Sequence, residues 1–391
     1  MDLLLNLGDQ PVVNNLCQSK EESLNVKKFP LKAKYNDDLL INLDTEIPPD
    51  ILYGNYLYRT GINTPFIQHC EEMFKTIKHL KSDVVVDIGG NDGTLLKTFK
   101  RLFDEQNRYD NNPKTRRFIN VDASSSVNLE NEKNGIEFIN AFFSEKVDLP
   151  KANIIISTNV FQHSKDIDSF LKGILKILNG VWILEFPYTL TTLETLQFDQ
   201  FYHEHYYYWL LTPLEKIFNK YNLKILNVTH NNSHGGSLRV WSTNKELSSP
   251  KISGVIKEYK DKEKNLALNK FDNNVKEYIE KAKNFIFSLK GQTAFFGAAA
   301  KGCVFLNALG ININNMQESF VVDDTKVKQG LYVPGTGFEI VSRDKLIERK
   351  IENIIILAHN FSKFISKSLR EESNFEGKIY IMLPDIMELQ N

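Results

Sequence analysis

The chain has 391 residues, 42% hydrophobic and 25% charged, with a formal net charge of −1. That is a globular composition with length for two or three domains, and a near-neutral balance exerts no overall pull on nucleic acid or anionic membrane. No run reaches the roughly 18 apolar residues that span a bilayer.

The start, MDLLLNLGDQP, is too short and too acidic for a signal peptide. Three scattered cysteines, Cys17, Cys70 and Cys303, are too few for a disulfide framework or a four-thiolate zinc site. A monomeric, cytoplasmic protein with no nucleic-acid or membrane partner is the expectation.

In chain order, Asp2–Leu5 and Leu39–Leu43 read as short strands, and Ile47–Tyr58 as a loop with a helical turn. Apolar residues from Thr64 to Leu80 fall at helical spacing. Val84–Asp87 is then a buried strand ending in an acid, followed by Ile88-Gly89-Gly90-Asn91-Asp92-Gly93 and a helix from Thr94. The pattern is D-x-G-x-x-x-G, through Asp87, Gly89 and Gly93, and not the G-x-G-x-x-G that serves a pyrophosphate. It is the usual loop of S-adenosylmethionine enzymes, whose ligand carries an amino-acid end and no phosphate.

Phe118–Val121 is the second strand of this unit and ends at Asp122, placed either to take ribose hydroxyls or to cap a helix. Ile136–Ile139 is the third, with Ala141-Phe142-Phe143 after it to flank an adenine. Asn153–Ser157 runs into Thr158-Asn159-Val160-Phe161-Gln162-His163 at the carboxyl edge of the sheet, where ligands bind. Val181–Phe186 follows, and Ile225–Thr229 with Ser237–Thr243 forms a strand pair across His234-Gly235-Gly236. Asn244–Ser253 marks a boundary, and a long charged helix from Val255 to Leu289 breaks near Lys264–Lys270. A second strand–loop–helix begins at Thr293, with Gly297-Ala298-Ala299-Ala300-Lys301-Gly302 as its loop and Asp323-Asp324 closing its second strand.

Proton-moving side chains are densest in Phe198–Tyr208, FDQFYHEHYYY. A general base needs a group that titrates near working pH and a neighbour that fixes its tautomer. Tyr202-His203-Glu204-His205 supplies both. The same H-x-H, if extended, sets two imidazoles on one face as a metal pair or as plain polar surface.

VVVDIGGNDGTLL, TNVFQH, EFPY, FDQFYHEHYYY, HGGSLRV, FGAAAKG, VVDDTKVKQG and VPGTG together resemble the sugar C-methyltransferase family. That resemblance implies an α/β fold: a Rossmann-like S-adenosylmethionine domain over 64–245, a second Rossmann-like domain over 246–391 that binds the nucleotide, and a small N-terminal domain over 1–63. Family members carry zinc on two C-x-x-C pairs in that small domain. Here the first pair would fall before Met1, and Lys34–Asp38 holds no cysteine, so no metal is expected.

The implied reaction removes a proton from C3 of a nucleotide-linked 4-keto-6-deoxysugar and methylates the enolate carbon. It implies His205 as base, Glu204 and Tyr202 as partners (or Tyr202 on the ketone oxygen), and His163 at the substrate. Asp87, Gly89, Gly93, Asp122 and Asn159 hold the cofactor. Tyr56, Tyr58, His234 and Arg239 line the sugar pocket, and Lys301 and Lys328 face the diphosphate. Three readings compete: a nicotinamide-dependent oxidoreductase on either βαβ unit, a catalytically inactive binding homologue, and the same enzyme with another acceptor, such as another keto acid or another sugar carbon.

Overall fold

The computed structural model describes residues 1–45, 47–48, 51–52, 64–108, 115–124, 127–245 and 253–390. Tyr56 and Tyr58 lie outside the described residues. The chain forms two compact units built from separated segments. The first comprises Met1–Leu57, Thr189–His205 and Leu266–Asn391, and the second Tyr58–Tyr188 and Tyr206–Asn265.

In chain order the strands are β1 (Asp2–Pro11), β2 (Lys28–Tyr35), β3 (Ile41–Leu43), β4 (Val84–Ile88), β5 (Arg117–Asp122) and β6 (Glu137–Asn140). Then come β7 (Ala152–Thr158), β8 (Leu178–Pro187), β9 (Tyr207–Tyr208), β10 (Lys224–Asn231) and β11 (Ser237–Thr243). The last are β12 (Thr293–Phe296), β13 (Val321–Val322), β14 (Ile340–Val341), β15 (Asn353–Ile356), β16 (Lys378–Ile381) and β17 (Met387–Glu388).

The second unit is a seven-stranded sheet in the order β10-β11-β8-β7-β4-β5-β6. β4 to β8 pair parallel, whereas β11 runs antiparallel to both β8 and β10. β4 (VVVDI) and β7 (ANIIIST) are nearly continuous β-branched runs, as burial on both faces of a parallel sheet demands. The helix Thr64–Ile77 buries Cys70, Met73, Phe74 and Ile77 in one stripe. Phe74 meets Phe99 and Phe103 of the helix Thr94–Asn107 edge-on, at 5.5 and 4.7 Å between centroids. Strand order reverses between β4 and β7, so the ligand crevice of this sheet opens beyond the carboxyl ends of those two strands.

The first unit contains a six-stranded sheet in the order β14-β13-β12-β15-β16-β17, parallel except for β17. Its order reverses between β12 and β15. The amino-terminal strands pair antiparallel, β1 with β2 and β2 with β3. β1 runs six residues past Leu5, to Pro11, through two irregular points, and β2 is a strand that sequence reading misses. In KFPLKAKY the buried Leu31 and Ala33 alternate with lysines, and the charge hides the period of two.

This amino-terminal segment is stitched to residues far along the chain. Cys17 and Tyr332 exchange backbone hydrogen bonds of 2.9 and 2.8 Å. The Ser23 hydroxyl donates to the Val333 carbonyl (2.6 Å) and accepts from the Gly337 amide (2.9 Å). The amide of Asn6 donates to Asp272 at 2.8 Å.

The charged helix breaks as expected, into Ser253–Lys264 and Phe271–Ser288. Among the described residues no helix is long and apolar enough to cross a membrane, and no three His, Cys, Asp or Glu side chains gather to hold a metal ion.

Candidate active site

In the second unit the loop after β4 is shaped by Gly89 and Gly93, at φ +72° and +73°. A Cβ on Gly89 would lie 2.6 Å from Val160 Cγ2, and one on Gly93 would lie 2.2 Å from the Asn131 side-chain oxygen. Both positions therefore demand glycine, for conformation and for space. Gly89→Ala is expected to cost about 1–2 kcal/mol of stability, because a side chain resists the left-handed region. It should also weaken S-adenosylmethionine binding roughly tenfold or more, read by melting and titration calorimetry. Unchanged affinity would remove the loop from the binding site.

Asp122 closes the same loop. Its Oδ2 accepts from the Asn91 amide (2.9 Å) and its Oδ1 from the Ser124 amide (2.8 Å). Asp87 is buried, and burial first, then the charges of Asp122 and Asp92, push its carboxyl well above the usual range. Two residues missed in the sequence brace the loop from below. The Asn120 amide donates to Asn91 O (2.8 Å) and to the Asn131 side chain (2.9 Å), and Asn131 donates to Asn91 O (3.2 Å). A polar residue inside the apolar strand FIN-V was the available signal.

At the end of β7, Thr158 Oγ1, Asn159 Oδ1 and Gln162 Oε1 are buried with no hydrogen-bond partner among the described residues. Asn159 sits at φ +55°, its amide tied to Glu185 O at 2.9 Å. Buried acceptors without donors are costly unless a ligand completes them. These orphaned oxygens, the glycine cradle and Asp122 fit S-adenosylmethionine, a ligand rich in hydroxyl and ammonium donors. His163 ends the short turn Phe161–His163 that follows and is partly exposed.

The sheet also holds a buried charge cluster. Glu185 on β8 accepts from Arg239 Nε (2.7 Å), Asn231 Nδ2 (3.1 Å) and Ser233 Oγ (3.3 Å), and lies 2.6 Å from His69 Nε2. Burial alone would raise this carboxyl. The hydrogen bonds and charges of His69 and Arg239 outweigh it and hold it at about 2. Arg239, expected at the sugar, is thus 6% exposed and engaged with Glu185, its register partner across β11 and β8. His234 sits at φ +52° in the turn between β10 and β11, half-buried.

In the first unit, the proton-moving segment is a turn and not an extended run: the His205 amide donates to Tyr202 O at 3.0 Å. The two histidines consequently part. His203 Nε2 lies 3.2 Å from Pro30 O, with its ring edge-on to Phe29, so it reads as a packed histidine. His205 is 4% exposed and lies against the Tyr202 ring, 4.0 Å between centroids. Glu204 is buried and accepts from Asn14 Nδ2 at 2.7 Å. Burial pushes its carboxyl up to about 7, with the Asn14 bond opposing the rise. A carboxyl poised there exchanges a proton near neutrality.

The second glycine loop of the first unit repeats the architecture of the other unit. Asp323 Oδ2 accepts from the Ala298 amide at 2.9 Å, just as Asp122 holds Asn91. Lys328 Nζ donates to Ala298 O (2.8 Å) and lies 3.4 Å from Asp323. Lys301 opens the helix Ala300–Ala308 and is buried, and burial lowers its ammonium to about 8 despite the opposing charge of Asp199. His359 connects here too, with Nε2 3.1 Å from Gln197 Oε1 and Nδ1 3.5 Å from Asp199.

The sheet order, the D-x-G-x-x-x-G loop and the acid at the end of β5 define an S-adenosylmethionine-dependent methyltransferase, with S-adenosylmethionine as its cofactor. Two family models match the chain, a methyltransferase domain over residues 64–228 and a C-methyltransferase C-terminal domain over residues 232–384. These matches support the C-methyltransferase family to which its motifs point. It is 26% identical over 405 aligned residues to the C-methyltransferase NovU of Streptomyces niveus, covering 98% of this chain and 93% of that one.

Among solved structures it is similar to an S-adenosylmethionine-dependent methyltransferase from Clostridium acetobutylicum, at 13% identity and TM-score 0.36, covering 47% of this chain and 93% of that one. It is also similar to the magnesium protoporphyrin IX methyltransferase of Synechocystis, at 13% identity and TM-score 0.37, covering 47% and 85%.

Proposed function

We propose that the protein is a C-methyltransferase that deprotonates C3 of a nucleotide-linked 4-keto-6-deoxysugar and methylates the resulting enolate carbon. The observation that carries this reading is the group made by half-buried Tyr202 with buried His205 and Glu204: an imidazole against a phenol ring, next in sequence to a carboxyl held near neutrality. The similarity to NovU over nearly the whole chain supports the same reading.

A carbon next to a ketone is a weak acid. His205 takes the C3 proton, the C–H electron pair moves into the enolate, and the Tyr202 hydroxyl stabilises the ketone oxygen as charge develops there. Glu204 holds the charge balance around the imidazole. When bound, S-adenosylmethionine supplies an electrophilic methyl on a positively charged sulfur. Asp87, Gly89, Gly93, Asp122 and Asn159 are assigned to hold it.

His163 and His234 are assigned to the sugar, and Lys301 and Lys328 to the diphosphate. Arg239 acts there through the β10–β11 turn that its ion pair with Glu185 anchors. The working division is 1–63, 64–245 for the cofactor and 246–391 for the nucleotide.

Mass spectrometry of the protein with S-adenosylmethionine and TDP-, UDP- and GDP-4-keto-6-deoxysugars tests this. Gain of a single methyl on a sugar is expected. Cofactor binding without methylation or C3 proton exchange on any sugar would overturn the acceptor, and absence of cofactor binding would favour an inactive homologue.

A further inference from the structure

We propose that Asn14 is a positioning residue for the reaction assigned above, its side-chain amide holding the Glu204 carboxyl in the orientation that serves His205. The role rests on that reading of the reaction. The contact does not: Asn14 Nδ2 donates to Glu204 Oε1 at 2.7 Å, across 190 residues of sequence. That is the length of a charge-assisted bond.

The amide is presented rigidly. Asn14 sits in the turn after β1, between buried Val12 and Val13 on one side and the Asn15 amide, which donates to Val12 O at 3.3 Å, on the other. Two residues further on, Cys17 is fixed by its paired backbone bonds to Tyr332. The amino-terminal strands thus deliver one donor to one buried carboxyl.

An amide keeps its donor at every pH, whereas a histidine or lysine in its place would add a second titration. The titratable neighbours of Glu204 on its own segment are Tyr202, His203 and His205, with His203 directed at Pro30 O. Asn14 faces it from the turn after β1. The sign follows: the bond lowers a carboxyl that burial raises, so its loss lets Glu204 keep its proton to higher pH. If the ionised form serves His205, the acidic limb of the rate profile moves to higher pH.

The experiment uses the full chain with Asn14→Leu, the near-isosteric Asn14→Asp, and Asn14→Gln, which retains an amide. It measures kcat and KM against pH, and the infrared band of the protonated Glu204 carboxyl against a Glu204→Gln blank. Asn14→Leu and Asn14→Asp are expected to lower kcat about 10- to 100-fold, with little change in KM. The carboxyl titration should move upward in both, Asn14→Gln should recover part of the loss, and Asn14→Leu should cost little more in the Glu204→Gln background. A loss of kcat with an unshifted pH profile overturns the proposal, as does an unmoved carboxyl band. If the unsubstituted protein methylates no sugar, the reaction assignment fails and the positioning role with it, while the band still reports whether the contact exists.

Discussion

His205→Ala is expected to abolish methyl transfer and C3 proton exchange together, leaving S-adenosylmethionine binding intact. Loss of a general base costs on the order of 10²- to 10⁴-fold, and both readouts depend on the same first proton. The imidazole is 4% exposed and lies 4.0 Å from the Tyr202 ring, so alanine also opens a small void; His205→Gln is the cleaner variant, since it keeps volume and polarity without a titrating nitrogen. Deuterium exchange at C3, followed by NMR without S-adenosylmethionine, isolates the base from the transfer. The cofactor loop belongs to the other unit and should titrate normally. Exchange that persists in His205→Gln would move the base to another residue, and His163 would be the next to test.

The second large effect concerns stability. Glu185→Ala should destabilise the second unit by about 3–5 kcal/mol, because Arg239 is left charged inside the sheet with its main partner gone. Glu185 and Arg239 are 0% and 6% exposed, so water offers little compensation. Replacing both together, as Glu185→Leu with Arg239→Met, should return much of the loss, since no uncompensated charge remains. Urea midpoints of the two single variants and the pair decide it, and additive losses would show that the ion pair is not the coupling.

The same carboxyl gives a pH signature. Its folded value, about 2, is below the ordinary value of 4.5, so its contribution is complete above 4.5 and fades as pH falls towards 2. The Glu185→Leu, Arg239→Met pair should therefore lose less stability than the parent across that window.

The two glycine loops and their strands are legible in the sequence because β-branched runs, left-handed glycines and a terminal acid lie within a few residues of each other. YHEH is legible for the same reason: its chemistry is contiguous. What is not legible is every partner brought from a distance. His69 reads as one more residue of an amphipathic helix, and nothing local says it meets Glu185. Asn14 lies 190 residues from Glu204. The H-x-H spacing predicts a shared face only for extended backbone, and the turn at Tyr202–His205 separates the two rings instead. β2 is hidden by its lysines, which alternate with the buried Leu31 and Ala33.

The bonds that tie Ser23 to Val333 and Gly337 bear on how this protein is made. Residues 310 and 314 positions apart must meet, so the ribosome releases Ser23 long before the backbone it is bonded to exists. The seven-stranded sheet, by contrast, has its last strand by Thr243. A nascent chain halted shortly after residue 265 therefore carries every segment of one unit and only the opening pieces of the other, with Asn6, Cys17 and Ser23 still lacking the residues they bond. Such incomplete units are where chains stick to each other. Synthesis of the final third of the chain is thus the interval in which this enzyme depends most on being shielded from its neighbours.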